Sequence, residues 1–139
     1  MKAQLGMKWL LLSVIVVLFF VTFFISPYSE AIDEAIKETS RIYAIDVAGI
    51  INLMQGAPDV TVYEHTLPDV NFVLRIDKSV NFTIVAGEEE NSYVADFIQE
   101  PASVDEVCFF MNIDNPDPGC IASDGTMIFR RTMNEIRIS

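Results

Sequence analysis

Apolar and polar positions follow three regimes along this chain. From Trp9 to Ile25 the sequence reads WLLLSVIVVLFFVTFFI, with only Ser13 and Thr22 polar and no charge between Lys8 and Glu30. At 1.5 Å rise per residue this run makes roughly 25 Å of apolar helix, close to the ~30 Å hydrocarbon core of a bilayer. Its Val, Ile and Phe would favour strand in water. A lone strand cannot satisfy its backbone in lipid, whereas a helix can, and it can also bond the two hydroxyls back to its own carbonyls. A segment that is apolar all round has no polar face to turn to water, which favours a membrane span over a buried core helix.

From Tyr28 to Met54 the period changes. Apolar residues fall at Ile32, Ile36, Tyr43, Val47, Ile50, Ile51 and Met54, mostly in steps of three and four. Glu30, Asp33, Glu34, Lys37, Glu38 and Arg41 occupy the opposite side. This is an amphipathic helix. Ser26 can cap it and Pro27 can take its first position, which predicts a kink near Pro27 between two helical halves. Gly56-Ala57-Pro58-Asp59 should end it, with Gly56 in a left-handed cap.

After Asp59 the period becomes two. Strands are predicted from Val60 to Leu67 and from Val70 to Ile76, with a tight turn at Asp77-Lys78-Ser79 returning through Val80, Phe82 and Ile84. Gly87 to Asn91 reads as an acidic turn, Ser92 to Gln99 as a further strand, and Val107 to Met111 as a short apolar one. Asn112 to Gly119 is a loop, Asp124-Gly125 a hairpin turn, and Thr126 to Arg131 and Glu135 to Ile138 the closing strands. Connections this short imply antiparallel pairing. One face of the sheet needs cover, which the Ile36 to Met54 side of the helix can supply. The expected fold is α+β. A long N-terminal helix, made of a membrane-spanning half, a kink near Pro27 and an amphipathic half, packs on a small antiparallel β-sheet head.

Charge orients this arrangement. Lys2 and Lys8 precede the apolar run. All 20 Asp and Glu follow it, against seven of the nine Lys and Arg, so residues from Glu30 onward carry a formal charge of −13. Basic residues on the short side place the N-terminus in the cytoplasm and the acidic part outside. Such an acidic surface argues against nucleic acid as a partner.

The residues ahead of the run are Met1-Lys2-Ala3-Gln4. A basic residue, a small residue and a Gln directly before an apolar helix resemble the class III signal of archaeal type IV pilin-like proteins. The resemblance covers the architecture as a whole, while only the first twenty-five or so residues match a motif. It implies a cut by a prepilin peptidase between Ala3 and Gln4, leaving the helix on the mature protein. The chain departs from the family at the fifth mature position. Many members carry Glu there and this chain has Lys8, which reads as an anchor at the headgroups, with Trp9 as its interfacial aromatic. The domains expected are then a leader at 1–3, a transmembrane and assembly helix at 4–26, and an extracytoplasmic part at 27–139, made of the amphipathic helix 28–55 and a β-rich head 60–139. By the same resemblance the apolar helix packs against copies of itself and other pilin-like subunits in a filament. The residues assigned to that contact are Trp9, Leu12, Val16, Phe19, Phe20 and Phe23.

Candidate chemistry in the head is sparse. Cys108 and Cys120 are the two cysteines. Outside the cell an even count points to a disulfide, which would close a loop of about thirteen residues for about 3 kcal/mol. Free thiols and half of a metal site are the alternatives, and no zinc-like spacing supports the latter. Asp114, Asn115, Asp117 and Asp124 offer hard oxygen atoms for calcium without EF-hand spacing, so a solvated loop is the simpler reading. His65 is the single histidine and lacks a Gly-x-Ser-x-Gly elbow or a Cys–His signature around it. There is no Gly-rich phosphate loop. No enzyme activity and no cofactor are expected. Asn81-Phe82-Thr83 is an N-glycosylation sequon whose Asn81 should face outward. Two functions fit these features: a subunit, major or minor, of a type IV pilus-like surface filament, or a single-pass anchored protein with an extracellular β-rich ligand- or partner-binding domain.

Overall fold

The computed structural model describes residues 2–87, 89–114 and 116–139, and along the N-terminal helix its side chains at 9, 11–24 and from 27 onward. The chain is α+β, a long N-terminal helical region followed by β-structure. It forms two compact units, Met1–Ala35 and Ile36–Ser139.

Helix α1 spans Lys2–Phe20 and α2 spans Ser26–Gln55. Between them Val21–Ile25 is π-helical, so no new helix begins at Ser26 and the helical backbone runs on through Pro27. Proline lacks an N–H, and its ring crowds the carbonyl four residues earlier. A wider turn just before Pro27 relieves that crowding, so the irregularity expected at the proline is expressed one turn upstream. At the other end Gly56 does not adopt the left-handed conformation. The last turn instead tightens, with Gly56 N donating to the Leu53 carbonyl and Ala57 N to that of Met54, both at 3.2 Å.

Among the described residues of the second unit nine strands follow: β1 (Val62–Thr66), β2 (Phe72–Ile76), β3 (Ser79–Ala86), β4 (Glu89–Asp96), β5 (Ser103–Val104), β6 (Val107–Met111), β7 (Ile121–Ala122), β8 (Thr126–Arg131) and β9 (Glu135–Ile138). They make two sheets where one was expected, in the orders β1-β8-β9-β5 and β4-β3-β2-β6-β7. The long ladders are antiparallel. The two-residue pairings β5/β9 and β6/β7 are parallel, against the expectation. Both lie in the longer loops, which have the length to carry the chain back in the same direction. The Asp124-Gly125 turn does not close a hairpin: it passes the chain from β7 in one sheet to β8 in the other. The acidic turn is shorter than read, because Glu89, Glu90 and Asn91 pair with Ala86, Val85 and Ile84 and begin β4. Asn115 and Glu88 lie outside the described residues.

Alternation along the strands decides what is buried. Val80, Phe82 and Ile84 of β3 point inward, as do Phe72, Leu74 and Ile76 of β2 and Met127, Phe129 and Arg131 of β8. The apolar ones join Ala44, Val47, Ala48, Ile50, Ile51 and Met54 of α2 in one core. Phe82 is stacked between Tyr43 and Phe72, at ring-centroid distances of 5.5 and 5.1 Å. Two polar side chains of α2 reach β4 and its continuation. Ser40 Oγ donates to the Asn91 carbonyl at 2.9 Å, and Asn52 Oδ1 accepts from Ile98 N at 2.7 Å. An edge strand is thereby partly covered by a helix, one of the ways folded proteins blunt exposed edges.

Candidate functional site

Along its described side chains the first unit presents an apolar surface. Every large apolar side chain described from Trp9 to Phe24 is between 44 and 67% exposed. Trp9, Leu12, Val16, Phe19, Phe20 and Phe23 recur at helical spacing and so follow one side of the helix. Leu11, Ile15 and Leu18, on other sides, are exposed to the same degree. Two aromatic ladders run in parallel, with Phe19 stacked on Phe23 at 4.4 Å and Phe20 on Phe24 at 4.6 Å. Thr22 Oγ1 donates to the Leu18 carbonyl at 2.7 Å, so this hydroxyl is satisfied within the helix. Among the described residues this is the one helix long and apolar enough to cross a bilayer. The side chains of Ala3 and Gln4 lie outside the described residues.

In the head, Cys108 of β6 and Cys120 are disulfide-bonded, with Cα atoms 4.5 Å apart. The bridge closes the Asn112 to Gly119 loop beside β2, where Arg75 Nη2 pairs with Asp117 Oδ2. Arg75 is the register partner of Cys108, so bridge and ion pair tie the C-terminal end of the loop to two adjacent strands. A shallow groove of about 280 Å³ lies there, lined by Arg75, Asp77, Asp117 and the two cysteines among others. Two of the calcium candidates are engaged elsewhere. Asp117 faces Arg75, and Asp124 Oδ1 accepts from Thr126 N at 3.1 Å. Among the described residues no three His, Cys, Asp or Glu side chains gather closely enough to hold a metal.

His65 on β1 points toward α2, where its Nε2 lies 3.4 Å from Asp46 Oδ2 without hydrogen-bond geometry. Asn81 stands on the outer face of β3, half-buried, with Arg75 and Val94 as cross-strand partners. Sequence reading missed a charged cluster between the β5–β6 connection and β9. Burial and then the neighbouring Glu135 push the Asp105 carboxyl up from its ordinary value. The hydrogen bond from Arg137, at 2.7 Å, holds Glu135 below the usual carboxylate range and raises Arg137 in turn. It also missed Arg131, which is buried against the core with Nη1 donating to the Thr132 carbonyl at 2.6 Å and its Nε unpaired. Proximity between distant strands has no trace in local periodicity, so the Asp105 contact had no signal to read, whereas the alternation Met127, Phe129, Arg131 already turned Arg131 inward.

No protein-family model, curated protein or solved structure matches this chain.

Proposed function

We propose that the chain is a structural subunit, major or minor, of an archaeal type IV pilus-like surface filament. The observation that carries the reading is the apolar surface from Trp9 to Phe24, exposed on every side and attached to a head with a core of its own. A helix of this kind is covered by lipid before assembly and by copies of itself afterwards. The head then stands outside, where its acidic charge keeps it soluble and the Cys108–Cys120 bridge suits an oxidising compartment. Met1-Lys2-Ala3 is the leader, cut between Ala3 and Gln4.

Intact mass of the protein from purified membranes and from sheared surface fractions tests this. The expected species has lost Met1 to Ala3, begins at Gln4 and occurs in the sheared fraction. A chain that keeps Met1 and stays wholly in the membrane identifies a single-pass anchor with an extracellular binding head instead. A chain that begins beyond Ser26 identifies a cleaved secretory signal.

A further inference from the structure

The outer face of the five-stranded sheet has no part in the assembly reading, yet it holds the one Asn-x-Ser/Thr sequon in the sequence. Its placement is specific. Phe82, the middle residue, is fully buried between Tyr43 and Phe72. Strand alternation then fixes Asn81 and Thr83 side by side on the opposite face. Thr83 Oγ1 donates a long hydrogen bond, 3.5 Å, to Asn81 Oδ1. The hydroxyl and the amide of the sequon are therefore already juxtaposed by the fold, with the amide oxygen polarised from the threonine side. Over them lies an open groove of about 360 Å³, lined by Val73, Arg75, Asn81, Thr83, Glu90 and Asp117 among others. Most of its lining side chains are polar, and their donors and acceptors suit a polyhydroxylated ring. Val94, directly across from Asn81, is 54% exposed and would be shielded by such a ring.

We propose that Asn81 is an N-glycosylation site and that its first sugar lies on the outer face of the β4-β3-β2 sheet. The donor is an oligosaccharide carried on a membrane lipid through a phosphate. Asn81 Nδ2 attacks the anomeric carbon, the N–C bond forms as the C–O bond to phosphate breaks, and the lipid phosphate leaves while Nδ2 gives up one proton. No redox partner is needed. The inference rests on the exterior placement of the head, since such transfer occurs on the outer side of the membrane.

The test is mass spectrometry of the full chain from the cells that naturally make it, intact and as the peptide containing Asn81, beside protease shaving of whole cells. The expected result is an excess over the sequence mass, in sugar-sized steps, on that peptide. Asn81→Gln and Thr83→Val should each abolish it, and Thr83→Ser should retain it. The intact Cys108–Cys120 bridge checks in each variant that the head has folded. An Asn81 peptide at its sequence mass overturns the proposal, even with sugar elsewhere on the chain. Shaving separates the two failures: a bare Asn81 on a shaved head defeats the site alone, and a bare Asn81 on a protected head defeats the exterior reading with it.

Discussion

Gln55 and Ala102 exchange two hydrogen bonds. Ala102 N donates to Gln55 Oε1 at 2.9 Å, and Gln55 Nε2 donates to the Ala102 carbonyl at 2.8 Å. The same Nε2 also reaches the Ile98 carbonyl at 3.0 Å. One buried amide at the last residue of α2 therefore pins the loop that leads from β4 to β5. Gln55→Ala leaves those backbone groups buried without partners and should cost about 2–3 kcal/mol. Gln55→Glu keeps the acceptor, loses both donations and brings a charge into a buried site, so it should fare no better. Denaturant unfolding of the detergent-solubilised chain measures both. A Gln55→Ala midpoint equal to wild type would show that the loop is held by other contacts.

The disulfide gives a second expectation. Cys108 and Cys120 are 12 positions apart, and the loop between them packs beside β2 through Asp117 and Arg75. Replacing both cysteines by Ser should lower stability by about 3 kcal/mol in the chain-entropy account. Alkylation of whole cells without reductant should leave both cysteines unlabelled, and labelling after reductant on the same intact cells should be complete. Labelling that requires lysis would place the head inside.

Asp105 gives a pH signature. Its carboxyl is raised by burial and by Glu135, so the folded chain holds that proton more tightly than the unfolded chain does. The contribution favours folding below the ordinary Asp range, near ~3.9, and is lost as pH rises through the raised folded value. At pH 7 the ionised Asp105 therefore works against the fold. Asp105→Asn should raise the melting temperature at pH 7, with the advantage shrinking as pH falls toward 3. Glu135, held down chiefly by Arg137, has the opposite sign: its contribution is present above the ordinary Glu range and lost as pH falls through the lowered value. A melting temperature for Asp105→Asn at or below wild type at pH 7 would contradict this assignment.

The assembly helix is tested by shape rather than polarity. A plain anchor tolerates any apolar surface, because lipid conforms to it, whereas helices packed on one another do not. Val16 is exposed on α1, so Val16→Phe should leave the amount of protein in the membrane unchanged and reduce surface filaments. Fractionation and microscopy of the same cells read both quantities. Filaments at wild-type abundance, here and at other bulky apolar substitutions around the helix, would favour the anchor.

The sequence by itself determined whatever depends on neighbours a few positions away. Unbroken apolarity from Trp9 to Ile25 leaves helix as the state that satisfies its own backbone in lipid, and steps of three and four bring α2 to its end at Gln55. A short apolar run placed β6, and period-two runs β8 and β9, at the residues where they lie. The tertiary structure alone decided partners. Val62 pairs with Arg130 across most of the head, and Ser103 runs parallel to Glu135, because a strand's alternation says which face is buried but not which distant strand completes its hydrogen bonds. The same holds for Ser40 and Gln55, polar residues that local pattern would send to water. Ser40 and Gln55 are buried because backbone groups from distant strands and loops arrive to meet them, whereas Arg131 is buried because its place on β8 turns it toward the core.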